Sequence, residues 1–271
     1  MLRLRERGKV YLVGAGPGDP ELITLRGRKL VESADVILYD ALVSPQILNW
    51  AKEDTDRIFV GKAHDREVRQ FDMGAPRKCP NQSEINELMV LKASRGLKVV
   101  RLKGGDPLIF GRGGEEAEYL ATNKIPFEII PGVTAAFGAA ASLCIPITHR
   151  KYASQVALIT GHEDPTKQKT GLNYRSLALF GGTLVFYMGI SRLEQICKEL
   201  IQNGKNSGTP CLVIRWATTL KEESVRGTLK DIVKKVKARR LGPPSLFLVG
   251  EAARHAVKTH KRKLRRLTLP V

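Results

Sequence analysis

Cysteine is scarce in this chain of 271 residues, long apolar runs are missing, and acids are too few to balance the bases. The four cysteines, at 79, 144, 197 and 211, form no Cys-x-x-Cys pair and have no histidine at metal-ligand spacing. That excludes a disulfide-stapled scaffold and a zinc framework; reduced thiols and no metal are expected. The longest weakly polar stretch, Ala135 to Ile147, is too short to span a bilayer and contains Pro146. Residues 1–9 lack the apolar centre of a secretory signal, so the expected address is the cytosol. Internal repeats and low-complexity segments are absent as well.

Apolar residues are 42% of the chain and charged residues 27%, the balance of a folded protein with room for one large domain or two ordinary ones. Lys and Arg number 45 against 27 Asp and Glu, a formal charge of +18. Part of the excess sits in a basic tail, where Arg254, Lys258, Lys261, Arg262, Lys263, Arg265 and Arg266 face the single acid Glu251. Such a surface favours polyanions: nucleic acid, anionic lipid or an acidic small molecule. The tail carries no interleaved aromatics and no nucleic-acid motif, so a solvated basic surface is the plainer reading.

The segment from Val99 to Glu115, VVRLKGGDPLIFGRGGE, organises the rest. Its apolar opening, ending near Leu102, predicts a buried parallel strand. Gly104 and Gly105 then break the run, and Gly111, Gly113 and Gly114 precede a helix over 115–122. Glycine lets a backbone approach a ligand and expose its own polar groups. Asp106 inside the loop is suited to accept hydrogen bonds from a hydroxyl or an amine. A plain glycine-rich turn is the structural alternative.

Upstream, strand 9–13 runs into GAGPGDP and a helix over 21–33, a β–loop–α entry to a parallel sheet. The dinucleotide fingerprint G-x-G-x-x-G fails, because Asp19 stands where the third glycine belongs and Gly18 comes one residue early. A carboxylate there also opposes a pyrophosphate, which argues against an oxidoreductase. Strand 35–40 ends in Asp40, readable as a general base, a ribose ligand or a cap. Strand 57–60 delivers Lys62, a proton donor, a carboxylate ligand or a solvated lysine. Residues 63–80 are polar and without period, a lid candidate.

A helix over 81–95, strands 97–102 and 126–130, and the turn at Pro131 complete an alternating β/α half. In the second half the pattern gives a small-residue helix over 134–142 and strands 155–160, 182–189, 211–215, 223–227 and 245–250. Helices 191–202 and 228–238 lie between, and the sheet is expected to be mixed. His149 and His162 have no adjacent nucleophile; structural or substrate-contact roles suit them better than catalysis. Met188, at a strand end, reads as core or as a ligand contact.

The Val99–Glu115 segment resembles the signature of the tetrapyrrole methylases, and within them those acting on uroporphyrinogen III. The likeness runs from about residue 9 to 253. It includes VGAGPGD (13–19), YD (39–40), GK (61–62), QxEIN (82–86), PGVTA (131–135), THR (148–150), TGH (160–162), FYM (186–188) and VGE (249–251). The resemblance implies two α/β domains, 1–132 and 133–253, ahead of the basic tail 254–271, with S-adenosylmethionine in a cleft between them and a homodimer as the working unit. Family cofactor contacts fall on Pro17, Gly104, Gly105, Asp106, Ile109, Thr134, Ala135, Met188 and Ala217. Asp40 falls on the proton acceptor and Lys62 on the proton donor.

The implied reaction is methylation of two pyrrole carbons of uroporphyrinogen III to precorrin-2, on the way to sirohaem or cobalamin, with S-adenosylhomocysteine as by-product. A methylase of a later precorrin and, more remotely, a basic nucleic-acid-binding protein are the alternatives. Two departures from the family pattern stand out. Ala63 replaces a usual basic residue, and the segment after it is about eleven residues longer, with Arg66 or Arg69 as replacements for the missing charge.

Overall fold

The computed structural model describes residues 8–61, 80–162 and 171–255. The chain divides into two units, Met1–Ala135 and Ala136–Val271.

In the first unit, five strands form one sheet: β1 (Val10–Gly14), β2 (Val36–Tyr39), β3 (Asp56–Phe59), β4 (Val99–Lys103) and β5 (Phe127–Ile130). Their order is β3-β2-β4-β1-β5 and every neighbouring pair is parallel. Helices α1 (Leu25–Glu32), α2 (Pro45–Leu48), α3 (Gln82–Ser94) and α4 (Gly113–Thr122) cover both faces. Val10, Leu12, Leu38 and Val99 pack with Met89 of α3 and Leu120 of α4. Val13, Ile37, Val100 and Leu102 pack with Val31 of α1 and Ile47 of α2. Burial on both sides is why these strands read as near-continuous apolar runs.

The helix expected over 21–33 is interrupted. Asp19 caps a single 3-10 turn, Pro20–Leu22, by accepting the Glu21 N–H at 3.0 Å. Thr24 then caps α1 through the Gly27 N–H, also at 3.0 Å. Each short polar side chain offers the backbone a local acceptor that restarts the helix. Helix α3 starts on a capping box, with Glu84 donating its N–H to Asn81 and Asn81 donating its N–H back to the Glu84 carboxylate.

The second unit holds β6 (Val156–Thr160), β7 (Thr183–Tyr187), β8 (Pro210–Arg215), β9 (Glu223–Thr228) and β10 (Ser245–Val249) in the order β6-β7-β10-β8-β9. Only β6 and β7 pair parallel, so the sheet is mixed, as the sequence pattern predicts. The helices are α5 (Ala135–Ser142), which starts at the division between the units, α6 (Tyr174–Leu179), α7 (Leu193–Gln202) and α8 (Ile232–Ala238). The core joins Leu193, Ile196 and Leu200 of α7 and Ile232 and Val236 of α8 to Leu184, Phe186, Val213 and Phe247. The periodicity did not predict α6; its start is fixed by Asn173 accepting the Ser176 N–H. Helix α8 begins later than expected, because Asp231 first accepts the Thr228 N–H at 2.7 Å and closes a turn.

Among the described residues, no helix is long and apolar enough to cross a membrane. Cys144, Cys197 and Cys211 are free thiols.

Candidate active site

In the first sheet, β1 and β4 are neighbours whose following connections leave in opposite directions, β1 toward β2 and β4 toward β5. Ligands of open α/β sheets bind outside the carboxyl ends of strands at such a switch point. The glycine-rich loop leaves from there. Ala15 donates its N–H to the Lys103 carbonyl at 2.8 Å, and Gly16 and Gly105 form an isolated bridge one step beyond. Gly105 adopts φ +69°, a left-handed conformation that favours glycine.

The loop after β5 presses against the same spot. A Cβ on Gly132 would lie 2.3 Å from the Gly105 carbonyl oxygen and 2.8 Å from the Gly14 Cα. Thr134 and Ala135 line the other side of Gly105, within 4 Å of where its Cβ would be. Asp106 joins the two loops: its carboxylate accepts the Leu108 N–H at 2.8 Å and the Gly132 N–H at 3.0 Å. It is thus first a clamp, with lone pairs to spare for a ligand. Gly104 makes no hydrogen bond among the described residues, which leaves its N–H and C=O available. Pro17 follows the bridged Gly16, and Ile109 closes a turn back to the Asp106 carbonyl. Seven of the nine expected cofactor contacts therefore meet at one sheet edge: Pro17, Gly104, Gly105, Asp106, Ile109, Thr134 and Ala135.

Met188 and Ala217 lie on the second unit, one residue beyond β7 and two beyond β8, strands that both run antiparallel to β10 and so end on the same edge. The backbone there is strained. Met188, Trp216 and Thr218 have φ values of +53°, +51° and +66°, and none is glycine. Non-glycine residues held this way cluster at functional sites. Met188 is 47% exposed and Ala217 is buried. His149 stacks on Tyr152 at 4.6 Å, and Tyr152 on His255 at 4.0 Å. His162 donates its N–H to Thr160 Oγ1.

Asp40 follows β2 at the carboxyl end of the first sheet, and it does not stand alone. Arg101 Nη2 lies 2.5 Å from its Oδ1, and Lys103 Nζ lies 4.0 Å from its Oδ2. Glu116 of α4 receives Arg101 Nε at 3.1 Å, Lys103 Nζ at 3.0 Å and Gln82 Nε2 at 3.2 Å, all on Oε1. Arg101, Lys103 and Glu116 are almost completely buried, while the Asp40 side chain is 28% exposed. Burial opposes the Arg101 charge, but Asp40 and Glu116 outweigh it and hold the guanidinium above its ordinary value. Lys103 is pushed below its ordinary value, by burial first and then by the neighbouring Arg101. Two cations and two anions make a neutral buried group, the arrangement that keeps such charges tolerable.

Sequence reasoning passed over Arg101, Lys103 and Glu116. The available signal was two charges at i and i+2 on one face of an otherwise apolar strand. Lys62, the segment after it with Arg66 and Arg69, and the tail beyond His255 lie outside the described residues.

A parallel sheet with a glycine-clasped switch point, followed by a mixed sheet with strained strand ends, sets the class. The family model for Tetrapyrrole (Corrin/Porphyrin) Methylases matches residues 9–233, and the chain belongs to that family. Within it, the chain is 46% identical to the S-adenosyl-L-methionine-dependent uroporphyrinogen III methyltransferase of Methanosarcina barkeri, over 90% of this chain and 91% of that one. It is also 46% identical to the uroporphyrinogen-III C-methyltransferase of Priestia megaterium, over 90% of this chain and 98% of the relative. A crystal structure of uroporphyrin-III C-methyl transferase from Thermus thermophilus, complexed with S-adenyl homocysteine, superposes with a TM-score of 0.75 at 38% identity, covering 91% of this chain and 99% of that one.

Proposed function

We propose that this chain transfers methyl groups from S-adenosylmethionine to two pyrrole carbons of uroporphyrinogen III, giving precorrin-2. The observation that carries the reading is the open backbone at Gly104, set beside the Gly16–Gly105 bridge at the switch point of a parallel sheet. A nucleoside-bearing cofactor needs backbone donors and acceptors on a surface that side chains do not obstruct. Gly14 and Gly132 let the loops around Gly105 close tightly beside it, because a Cβ at either would strike backbone.

When bound, S-adenosylmethionine supplies an electrophilic methyl on a sulfonium centre. The protein's own contribution is positioning, which accounts for much of the rate when two reactants must align in line. Gly104, Gly105, Ile109, Thr134 and Ala135 hold the cofactor on the first unit, with Pro17 flanking them. Met188 and Ala217 remain cofactor contacts only in the family resemblance. Asp106 keeps the loops after β4 and β5 in register. Asp40 takes the proton that the methylated, cationic macrocycle must lose. Lys62 serves as proton donor. The eight carboxylates of the substrate suit a chain of formal charge +18. The reading carries with it a homodimer and a cytoplasmic address.

The test is anaerobic incubation with uroporphyrinogen III and methyl-labelled S-adenosylmethionine. Two labelled methyls per macrocycle are expected. Folded protein that transfers none, or that methylates only a later precorrin, overturns the proposal.

A further inference from the structure

Asp40 presents its two oxygens unequally. Oδ1 is taken by Arg101, whereas Oδ2 has no hydrogen-bond partner among the described residues and belongs to a side chain that still reaches solvent. Arg101 is itself fixed from three sides. Nε is bound to Glu116, and Nη1 donates to the Leu38 and Leu102 carbonyls at 3.4 and 3.3 Å. Glu116 is anchored in turn by Lys103 and Gln82, and Gln82 by Asn86. A chain of contacts thus runs from the interior of α3 and α4, through β4, to one carboxylate at the sheet edge.

We propose that Arg101, braced by Glu116, is the positioning residue for Asp40, holding Oδ1 so that Oδ2 alone is presented to the proton of the methylated macrocycle. The inference rests on the reading of Asp40 as proton acceptor. In the step it serves, the C–H bond breaks, its electron pair returns to the conjugated ring and cancels the positive charge, and the proton forms Oδ2–H. Arg101 touches neither partner; it acts through Asp40. A guanidinium is suited to this because its planar fork binds two carboxylates at once and stays charged.

Among the described residues, the charged groups paired with Asp40 are Arg101 and Lys103 from β4, and Glu116 of α4 pairs with both of them in turn. β3 ends at Phe59 and is followed by the non-ionisable Val60 and Gly61, and the turn after Asp40 contributes Ala41, Leu42, Val43 and Ser44. The hold on Oδ1 therefore comes from Arg101, with Lys103 at 4.0 Å from Oδ2.

The experiment compares Arg101→Gln, Arg101→Lys, Glu116→Gln and Asp40→Asn in the full chain. It measures kcat and KM and corrects for the folded fraction. In Arg101→Gln, kcat should fall by about 10–100-fold at unchanged KM. Arg101→Lys, which keeps a cation on Oδ1, should recover part of that loss, and Glu116→Gln, which loosens the brace, should lower kcat less than Arg101→Gln, again at unchanged KM. A merely structural role would leave kcat of the folded fraction at the parent value in all three, and that result overturns the inference. Should Arg101→Gln fail to fold, kcat of Glu116→Gln decides it: the parent value is the adverse result, a loss at unchanged KM the supporting one. Full activity in Asp40→Asn removes the reading of Asp40 itself; an inactive Asp40→Asn beside parent-like kcat in the Arg101 and Glu116 variants removes only the role of Arg101.

Discussion

Gly16 and Gly105 exchange two backbone hydrogen bonds, the Gly105 N–H to the Gly16 carbonyl at 2.7 Å and the Gly16 N–H to the Gly105 carbonyl at 3.2 Å. The pairing ties the loop after β1 to the loop after β4, two segments almost ninety residues apart in the chain. With the Asp106 clamp to Gly132, it fixes three loops on one sheet edge before any ligand arrives. Preorganisation of this kind lowers the ordering cost of binding.

A methyl group at position 132 should test that arrangement directly. In Gly132→Ala the new carbon meets backbone atoms of Gly105 and Gly14, which cannot rotate away. We expect a loss of about 1–3 kcal/mol in stability, typical of overpacking, together with weaker S-adenosylhomocysteine binding in calorimetry. Gly114→Ala is the control: nothing lies within 4 Å of its Cβ and the residue is helical, so the urea midpoint should hold or rise. Equal destabilisation in both variants would contradict the packing account.

Asp40→Asn keeps the shape of the side chain and removes its basicity. A decrease in kcat of about 10²–10⁴-fold is expected, with cofactor affinity preserved, because general base catalysis contributes on that scale. Single-turnover assays, which separate binding from chemistry, would expose a loss confined to affinity and so count against the assigned role.

Met188 is held at φ +53° with its side chain 47% exposed. Little packing is lost on its removal, while glycine relieves a left-handed conformation that costs a side-chain-bearing residue about 1–2 kcal/mol. Met188→Gly should therefore melt higher than the parent and bind the cofactor less well. A variant that is less stable would show that the strain is not there.

The buried thiols give a pH-dependent signature. Burial in the second core, with Glu194 adding to it, pushes Cys197 up to about 12, and burial raises Cys211 as well. The folded values exceed the unfolded ones, so their contribution to stability is complete below the ordinary thiol value of 9.0 and is lost as pH rises toward about 12. Urea midpoints should decline across that window. At pH 8 a disulfide reagent should leave both thiols unmodified until denaturant is added; rapid labelling of native protein at either position is the contrary outcome.

The β/α alternation, the glycine loop and the mixed second sheet were all legible, because each rests on local pattern: apolar runs, glycine spacing and strand length. Seven expected cofactor contacts converge for the same reason, since each follows the carboxyl end of a parallel strand and topology gathers such ends. The ion quartet was not legible. Arg101 and Lys103 merged into an apolar run, and their partners Asp40 and Glu116 come from other elements, so nothing local announces the pairing. The interrupted helix at 20–32 escaped too: Asp19 and Thr24 act through single hydrogen bonds that a periodicity average does not register.

The strand order of the first sheet has a consequence for synthesis on the ribosome. β1 and β2 are never neighbours; β4 lies between them and pairs with both. A nascent chain that has emerged only as far as β3 holds β1 apart from the β2–β3 pair, with an unfilled gap where β4 belongs. Such long-range pairing is slow and leaves apolar strand edges open to wrong partners. The interval before residue 103 clears the exit tunnel is therefore when this unit is most exposed to aggregation, and when a chaperone has most to shield.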